Sequence, residues 1–173
     1  MPNFPKQPKP QDKRPIRQAW SAEHTSARQA RAAGGGDTST TTRALRWGIL
    51  IGAAQAGIAL AFWWLDPSAV HALMIVLIAA VYIGFAVSDG RTNVIVAECA
   101  VVALFFVAAA AASAATPWLL VGLYLAHGAK DLWQHRHQFV RGTRWWPPFC
   151  FAVDVTVASI VAAQILFGVN FQS

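Results

Sequence analysis

Long apolar runs separated by short polar breaks occupy the chain from about residue 44 onward. They cover roughly 44–65, 69–87, 93–113, 117–134 and 147–168, each near the ~20 residues that a helix needs to cross a hydrocarbon core. Asp66-Pro67 closes the first run, and Pro147-Pro148 opens the last. The breaks at Asp66–Ser68, Ser88–Thr92 and Ala114–Thr116 are so short that consecutive helices must run antiparallel. Only the link from His135 to Trp146 is longer. The pattern predicts an all-α polytopic membrane protein, an up-and-down bundle of about five transmembrane helices spanning 43–173. The fourth run is the least regular, because Lys130 and Asp131 fall within its last turns.

Residues 1–42 have a different character. Pro2, Pro5, Pro8, Pro10 and Pro15 prevent a helix from propagating near the start. A short helix is expected over 16–33, and Gly34-Gly35-Gly36-Asp37 with the Ser/Thr run to Thr42 reads as a linker. The stretch has too few large apolar residues to bury a core of its own. It is also too polar for a secretory signal peptide, so membrane targeting falls to the first apolar run.

Composition supports the membrane assignment. The chain is 55% hydrophobic and 13% charged, where soluble domains carry roughly 25% charged residues. The net charge of +6 comes from 14 Lys and Arg against 8 Asp and Glu. The distribution of the basic residues matters more than the sum. If the tail is cytoplasmic and the spans alternate, the Ser88–Thr92 and 135–146 links share its side, and so does every Lys and Arg. The Asp66–Ser68 and Ala114–Thr116 links and the C-terminus carry none. The positive-inside rule then predicts a bacterial inner-membrane protein with a cytoplasmic N-terminus and an exterior C-terminus. Nucleic acid is disfavoured as a partner. The basic tail is suited instead to anionic lipid or a partner subunit, at about 1 kcal/mol per basic residue near the surface. Trp47, Trp63, Trp64, Trp118, Trp133, Trp145 and Trp146 lie near span ends, where an indole faces lipid and water together.

An ionisable side chain inside the membrane is costly, about 2.5–3.5 kcal/mol for a central Asp on insertion scales. Glu98, His127, Asp131 and Asp154 nevertheless fall within the apolar runs, with Cys99 and Cys150. His127, Asp131 and His135 are spaced i, i+4, i+8 along one helical stripe, and Cys150 and Asp154 are i, i+4 on the next helix. At a rise of about 1.5 Å per residue, Glu98, Asp131 and Asp154 all fall in the cytoplasmic half. Asp154 is therefore expected to face Asp131 or His127 rather than lipid. His127, Asp131, Asp154 and Glu98 are candidate catalytic residues. His127, His135, Cys150 and Asp154 are candidate metal ligands, since imidazole, carboxylate and thiolate are the ligand types of zinc and its neighbours. A structural ion pair between the fourth and fifth helices is the favoured reading, ahead of a bound metal or a proton path. No cofactor is identified, and neither H-E-x-x-H, C-x-x-C nor a phosphate loop is present. Two cysteines imply no disulfide framework. His24 and His71 have no polar neighbour in the pattern and are read as incidental. Gly52, Ala53, Ala56, Gly57 and Ala108–Ala112 are read as packing positions, with Gln55 and Gln164 as interhelical hydrogen-bond donors.

The segment His127-Gly-Ala-Lys-Asp131, followed by Pro147-Pro-Phe-Cys150-Phe-Ala-Val-Asp154, resembles small uncharacterised multi-pass bacterial membrane proteins. In those, a His-Gly-x-x-Asp helix precedes a Pro-x-x-Cys-x-x-x-Asp helix. The resemblance covers 127–154 and implies that these residues act as one unit, without implying an activity.

Chain size favours an accessory or assembly subunit of a membrane complex, in contact with another membrane protein or its own copies. The alternatives are a membrane-embedded enzyme, metal-dependent in one form, built on the His/Asp/Cys site, and a small transporter or channel. No internal repeat supports the last.

Overall fold

The computed structural model describes residues 38–169 and 171, except 60 and 63. The tail up to residue 37, with the helix expected over 16–33 and His24, lies outside the described residues. Five helices and no strands are present among the described residues: α1 (38–59), α2 (Pro67–Asp89), α3 (Thr92–Ala115), α4 (Pro117–His137) and α5 (Trp146–Leu166). The described residues form an all-helical fold, and α2, α3 and α5 are long and apolar enough to cross a membrane. The apolar stretch of α4 is interrupted by His127, Lys130 and Asp131.

Local chemistry sets the boundaries. Asp66 caps α2, its Oδ1 accepting from the N–H groups of Ser68 at 2.7 Å and Ala69 at 3.2 Å, with Pro67 in the first turn. This is the usual way to satisfy orphan donors at a helix start. Gly90, with φ of 79°, ends α2 in the left-handed region, where glycine carries no Cβ penalty. Proline also opens α4 and α5.

Three boundaries differ from those expected. Residues 38–42, read as linker, are helical; no Pro or Gly lies between Asp37 and Trp47 to stop α1 from extending. α1 ends before 65, because the chain turns at Phe62–Leu65, closed by Leu65 N–H to Phe62 O at 2.8 Å. α4 continues through His137, and Gln138, with φ of 48°, turns the chain out of the helix. The long connection is therefore 138–145.

α2 pairs with α3 and α4 with α5 as antiparallel hairpins, and α4 also touches α2 and α3. α1 lies against α5 through Gly48 and Gly52. A Cβ at Gly48 would overlap the Phe149 carbonyl oxygen and Ala152 Cβ, and one at Gly52 would come within 2.9 Å of Thr156 Cβ and Val153 O. Small residues one turn apart permit this approach, as is usual where lipid supplies no hydrophobic drive between helices. On α3, Leu104 is 67% and Phe106 60% exposed. Side chains this apolar and exposed on an apolar helix are suited to lipid as their solvent.

Among the described residues, Arg43, Arg91 and Arg141 gather at one end. Arg91 binds Asp89 through Nε at 2.6 Å and Nη2 at 2.8 Å, and Nη2 also donates to Phe139 O at 2.6 Å. The Arg141 N–H donates to Asp89 Oδ2 at 2.7 Å. The α2–α3 and α4–α5 turns are thereby clamped together. Arg43 and Trp47 share the walls of a 330 Å³ cavity with Trp145 and Phe149, so α1 begins at this end too. At the other end, Ser68 Oγ donates to Phe171 O at 2.8 Å, which holds the C-terminal segment against the start of α2.

Candidate functional site

The i, i+4 spacing of His127 and Asp131 puts both on the face of α4 that meets α5. Pro147 and Pro148 start α5 so that Cys150 and Asp154 project back toward them. All four side chains are buried, and one donor atom from each lies within 4.8 Å of the others. His127 Nδ1 is 2.8 Å from Asp154 Oδ2 and 3.5 Å from Asp131 Oδ2, so one imidazole nitrogen faces two carboxylates. Gly128 lets the helices meet here. A methyl group there would touch Asp154 Cβ at 3.5 Å and Phe151 at 3.4 Å, and anything larger would push Asp154 away. The Phe105 ring of α3 stands edge-on to His127 at 5.3 Å between centroids and closes that side.

Two residues that spacing did not single out complete the surroundings. Tyr82 of α2, fully buried, donates its hydroxyl to Asp131 Oδ1 at 2.6 Å. Lys130 places Nζ 2.8 Å from Glu98 Oε2 and 3.5 Å from the centroid of the Tyr82 ring. Glu98 is thus buried on α3 as an ion-pair partner and stands apart from the four-residue cluster. His135 lies outside the cluster as well. It is half-buried one turn beyond Asp131, and both line a separate cavity. The expected contact between Asp154 and the fourth helix is present, and Glu98 and His135 serve other neighbours.

The charges do not balance within the cluster. Lys130 is engaged by Glu98, which leaves Asp131 and Asp154 with one imidazole and one thiol. His127 Nε2, Asp131 Oδ2 and Asp154 Oδ1 have no hydrogen-bond partner among the described residues. Buried carboxylates demand a compensating proton or cation. An imidazole nitrogen, two carboxylate oxygens and a thiol sulfur suit a divalent transition ion. A tetrahedral ion with bonds of about 2.0–2.3 Å holds its ligand atoms about 3.3–3.8 Å apart. The donor atoms of the cluster lie within 4.8 Å of one another, somewhat wider than that spacing.

A second buried polar group lies toward the opposite end. His71, read as incidental, is 1% exposed, and neither ring nitrogen has a hydrogen-bond partner among the described residues. Tyr124 donates to His71 O at 3.2 Å and accepts from Gln55 Nε2 at 3.2 Å, so the expected interhelical bond from Gln55 is made. Cys99 and Cys150 are both free, Cys99 being exposed. Comparison of the chain with protein-family models, with curated proteins and with solved structures finds no match in any of the three.

Proposed function

We propose that this chain is a membrane-embedded metalloprotein, in which His127, Asp131 and Asp154 bind one divalent transition ion and Cys150 supplies or flanks a fourth position. The observation that supports it is the pair of fully buried carboxylates around a single imidazole, with the nearby lysine already paired. A divalent ion neutralises both carboxylates at once. A structural ion pair would need only one of them, and this shifts the balance from helix pairing toward a cation site. Tyr82, by holding Asp131 through its other oxygen, orients that ligand as outer-shell donors do in metal sites.

In this reading all five helices span the membrane, with the polar face of α4 (His127, Asp131 and Gln134) turned inward and its exposed Leu119, Leu125 and Leu132 turned to lipid. The clamped end, where the basic residues gather, faces the cytoplasm of a bacterial inner membrane. The basic composition of the tail suits it to anionic headgroups on that side. The metal centre sits within the membrane, toward the cytoplasmic side.

The test is metal content after purification in mild detergent, followed by uptake of Zn²⁺ or Co²⁺ into chelator-stripped protein in nanodiscs. One ion per chain is expected, falling below a tenth of that in His127→Ala and in Asp154→Asn. The Asn variant keeps the shape and a hydrogen bond to His127, so it should remain folded while losing the ion. Wild-type protein that stays metal-free and takes up neither ion would overturn the proposal.

A further inference from the structure

At the end of the bundle opposite the Asp89–Arg91 clamp, His71 sits one turn inside α2 from Ser68. It is 1% exposed, and neither Nδ1 nor Nε2 has a hydrogen-bond partner among the described residues. Its surroundings are rings. Tyr124 of α4 stands edge-on at 6.2 Å between centroids, and Phe171 lies tilted against it at 6.1 Å. The Tyr124 hydroxyl is engaged by His71 O and by Gln55 of α1. Asp66, the nearest acid along the chain, is occupied in capping α2. No charged side chain among the described residues acts on the imidazole.

The C-terminal segment shuts this pocket. Gly168, with φ of 78°, turns the chain at the end of α5, and Val169 N–H returns to Gln164 O at 2.9 Å. Phe171 then lies 3% exposed against His71, and its carbonyl accepts from Ser68 Oγ at 2.8 Å. One side-chain hydrogen bond and one buried ring thus fasten a short strap over an imidazole. A neutral ring fits beneath it. A protonated ring would bring a charge and two donors into a pocket whose walls supply neither a counter-ion nor an acceptor for the ring nitrogens.

We infer that the C-terminal segment is a proton-released strap, closed over His71 while the ring is neutral and lifted when the ring is protonated. Lifting Phe171 removes one wall of the pocket and brings water to the imidazole. The open arrangement binds one proton more than the closed one. Closure is therefore complete at higher pH and is lost as pH falls, with the open-to-closed ratio rising about tenfold per pH unit across the transition. The device needs no metal at the cluster. In the orientation proposed above it faces the exterior solution, so it responds to acidity outside the membrane.

The experiment uses the full chain in nanodiscs, with 4-fluorophenylalanine at position 171 read by fluorine NMR. A change of the resonance between H₂O and D₂O reports water at the ring. That change should be absent near about pH 8 and full by about pH 4, with the slope of a single proton. His71→Leu removes both unpaired nitrogens and keeps an apolar side chain, so its strap should stay closed throughout. Asp66→Asn keeps the α2 cap and should open as the wild type does. Ser68→Ala, which loses the bond to Phe171 O, should open at higher pH. A ring at 171 that is already wet near about pH 8, or still dry by about pH 4, would overturn the strap. So would an unchanged transition in His71→Leu, or one abolished in Asp66→Asn.

Discussion

Removing a single oxygen tests whether Tyr82 holds Asp131 as the geometry requires. Tyr82→Phe keeps the ring over which Lys130 sits at 3.5 Å and deletes the hydroxyl that donates to Asp131 Oδ1 at 2.6 Å. Asp131 is fully buried and its Oδ2 has no hydrogen-bond partner among the described residues, so the lost donor has no ready replacement there. A hydrogen bond to a charged group contributes about 1.5–3 kcal/mol. The expected loss is about 2 kcal/mol, or roughly 30-fold in the folded-to-unfolded ratio. It is read from reversible unfolding in mixed micelles with chelator present, so that a metal contributes nothing. The same substitution in an Asp131→Ala background should cost nothing, or should stabilise by removing an orphaned hydroxyl. The coupling between the two positions is then about 2 kcal/mol. If Tyr82→Phe costs as much without the carboxylate as with it, the hydroxyl works elsewhere and the outer-shell role is wrong.

Gly48→Val should destabilise by about 1–3 kcal/mol by forcing α1 from α5, whereas Gly57→Val, with nothing within 4 Å of its Cβ position, should be near neutral in the same unfolding assay. Equal effects at the two positions would contradict the close approach of α1 and α5. Asp89→Asn removes the charge that binds Arg91 and the Arg141 N–H, so limited trypsin digestion at Arg141 and Arg144 should run several-fold faster than in the wild type. In a Cys99→Ser background, an impermeant maleimide applied to intact cells should label Thr116→Cys, and should label Arg141→Cys only after permeabilisation. The reverse pattern would invert the orientation.

The cluster was legible where its members share a helix or join two consecutive ones. Spacing put His127 and Asp131 on one stripe and Cys150 and Asp154 on another, and matching depth across an antiparallel pair brought the stripes together. Glu98 was grouped with the cluster by depth but pairs with Lys130 instead, because depth alone does not say which face of α3 meets α4. His135 lies on the same stripe as His127, yet one turn makes the difference between the cluster and the neighbouring cavity. Lys130 and Asp131 were read together as an irregularity in the last turns of the fourth run, although adjacent helical residues point about 100° apart and serve different neighbours. Tyr82 sits on α2, which is not consecutive with α4, so no local pattern connects them. Its signal was compositional: a chain with 10 Phe, 8 Trp and only 2 Tyr keeps a hydroxyl where it has a use, and both tyrosines are buried and hydrogen-bonded. The helical extension over residues 38–42 was missed because Ser and Thr discourage a helix only weakly once a strong apolar run propagates into them.

The partners of α4 also constrain how the protein is made. Asp131, Lys130 and His127 find their counterparts on α2, α3 and α5, so α4 arriving alone in lipid would hold three ionisable groups with nothing to meet them. The α2–α3 hairpin has a lighter burden, Glu98 alone among acids in its apolar stretch, and can wait in the bilayer. If α4 spans the membrane as proposed, it needs α5 beside it, with Asp154 covering one side of its polar face and Tyr82 and Glu98 the other. The clamp from Asp89 and Arg91 to Phe139 and Arg141 ties the α2–α3 turn to the α4–α5 turn and so needs both hairpins in place. An unassembled chain would present Lys130 and Glu98 unpaired inside the membrane, and that exposed charge is a mark by which membrane quality control can tell an unfinished copy from a finished one.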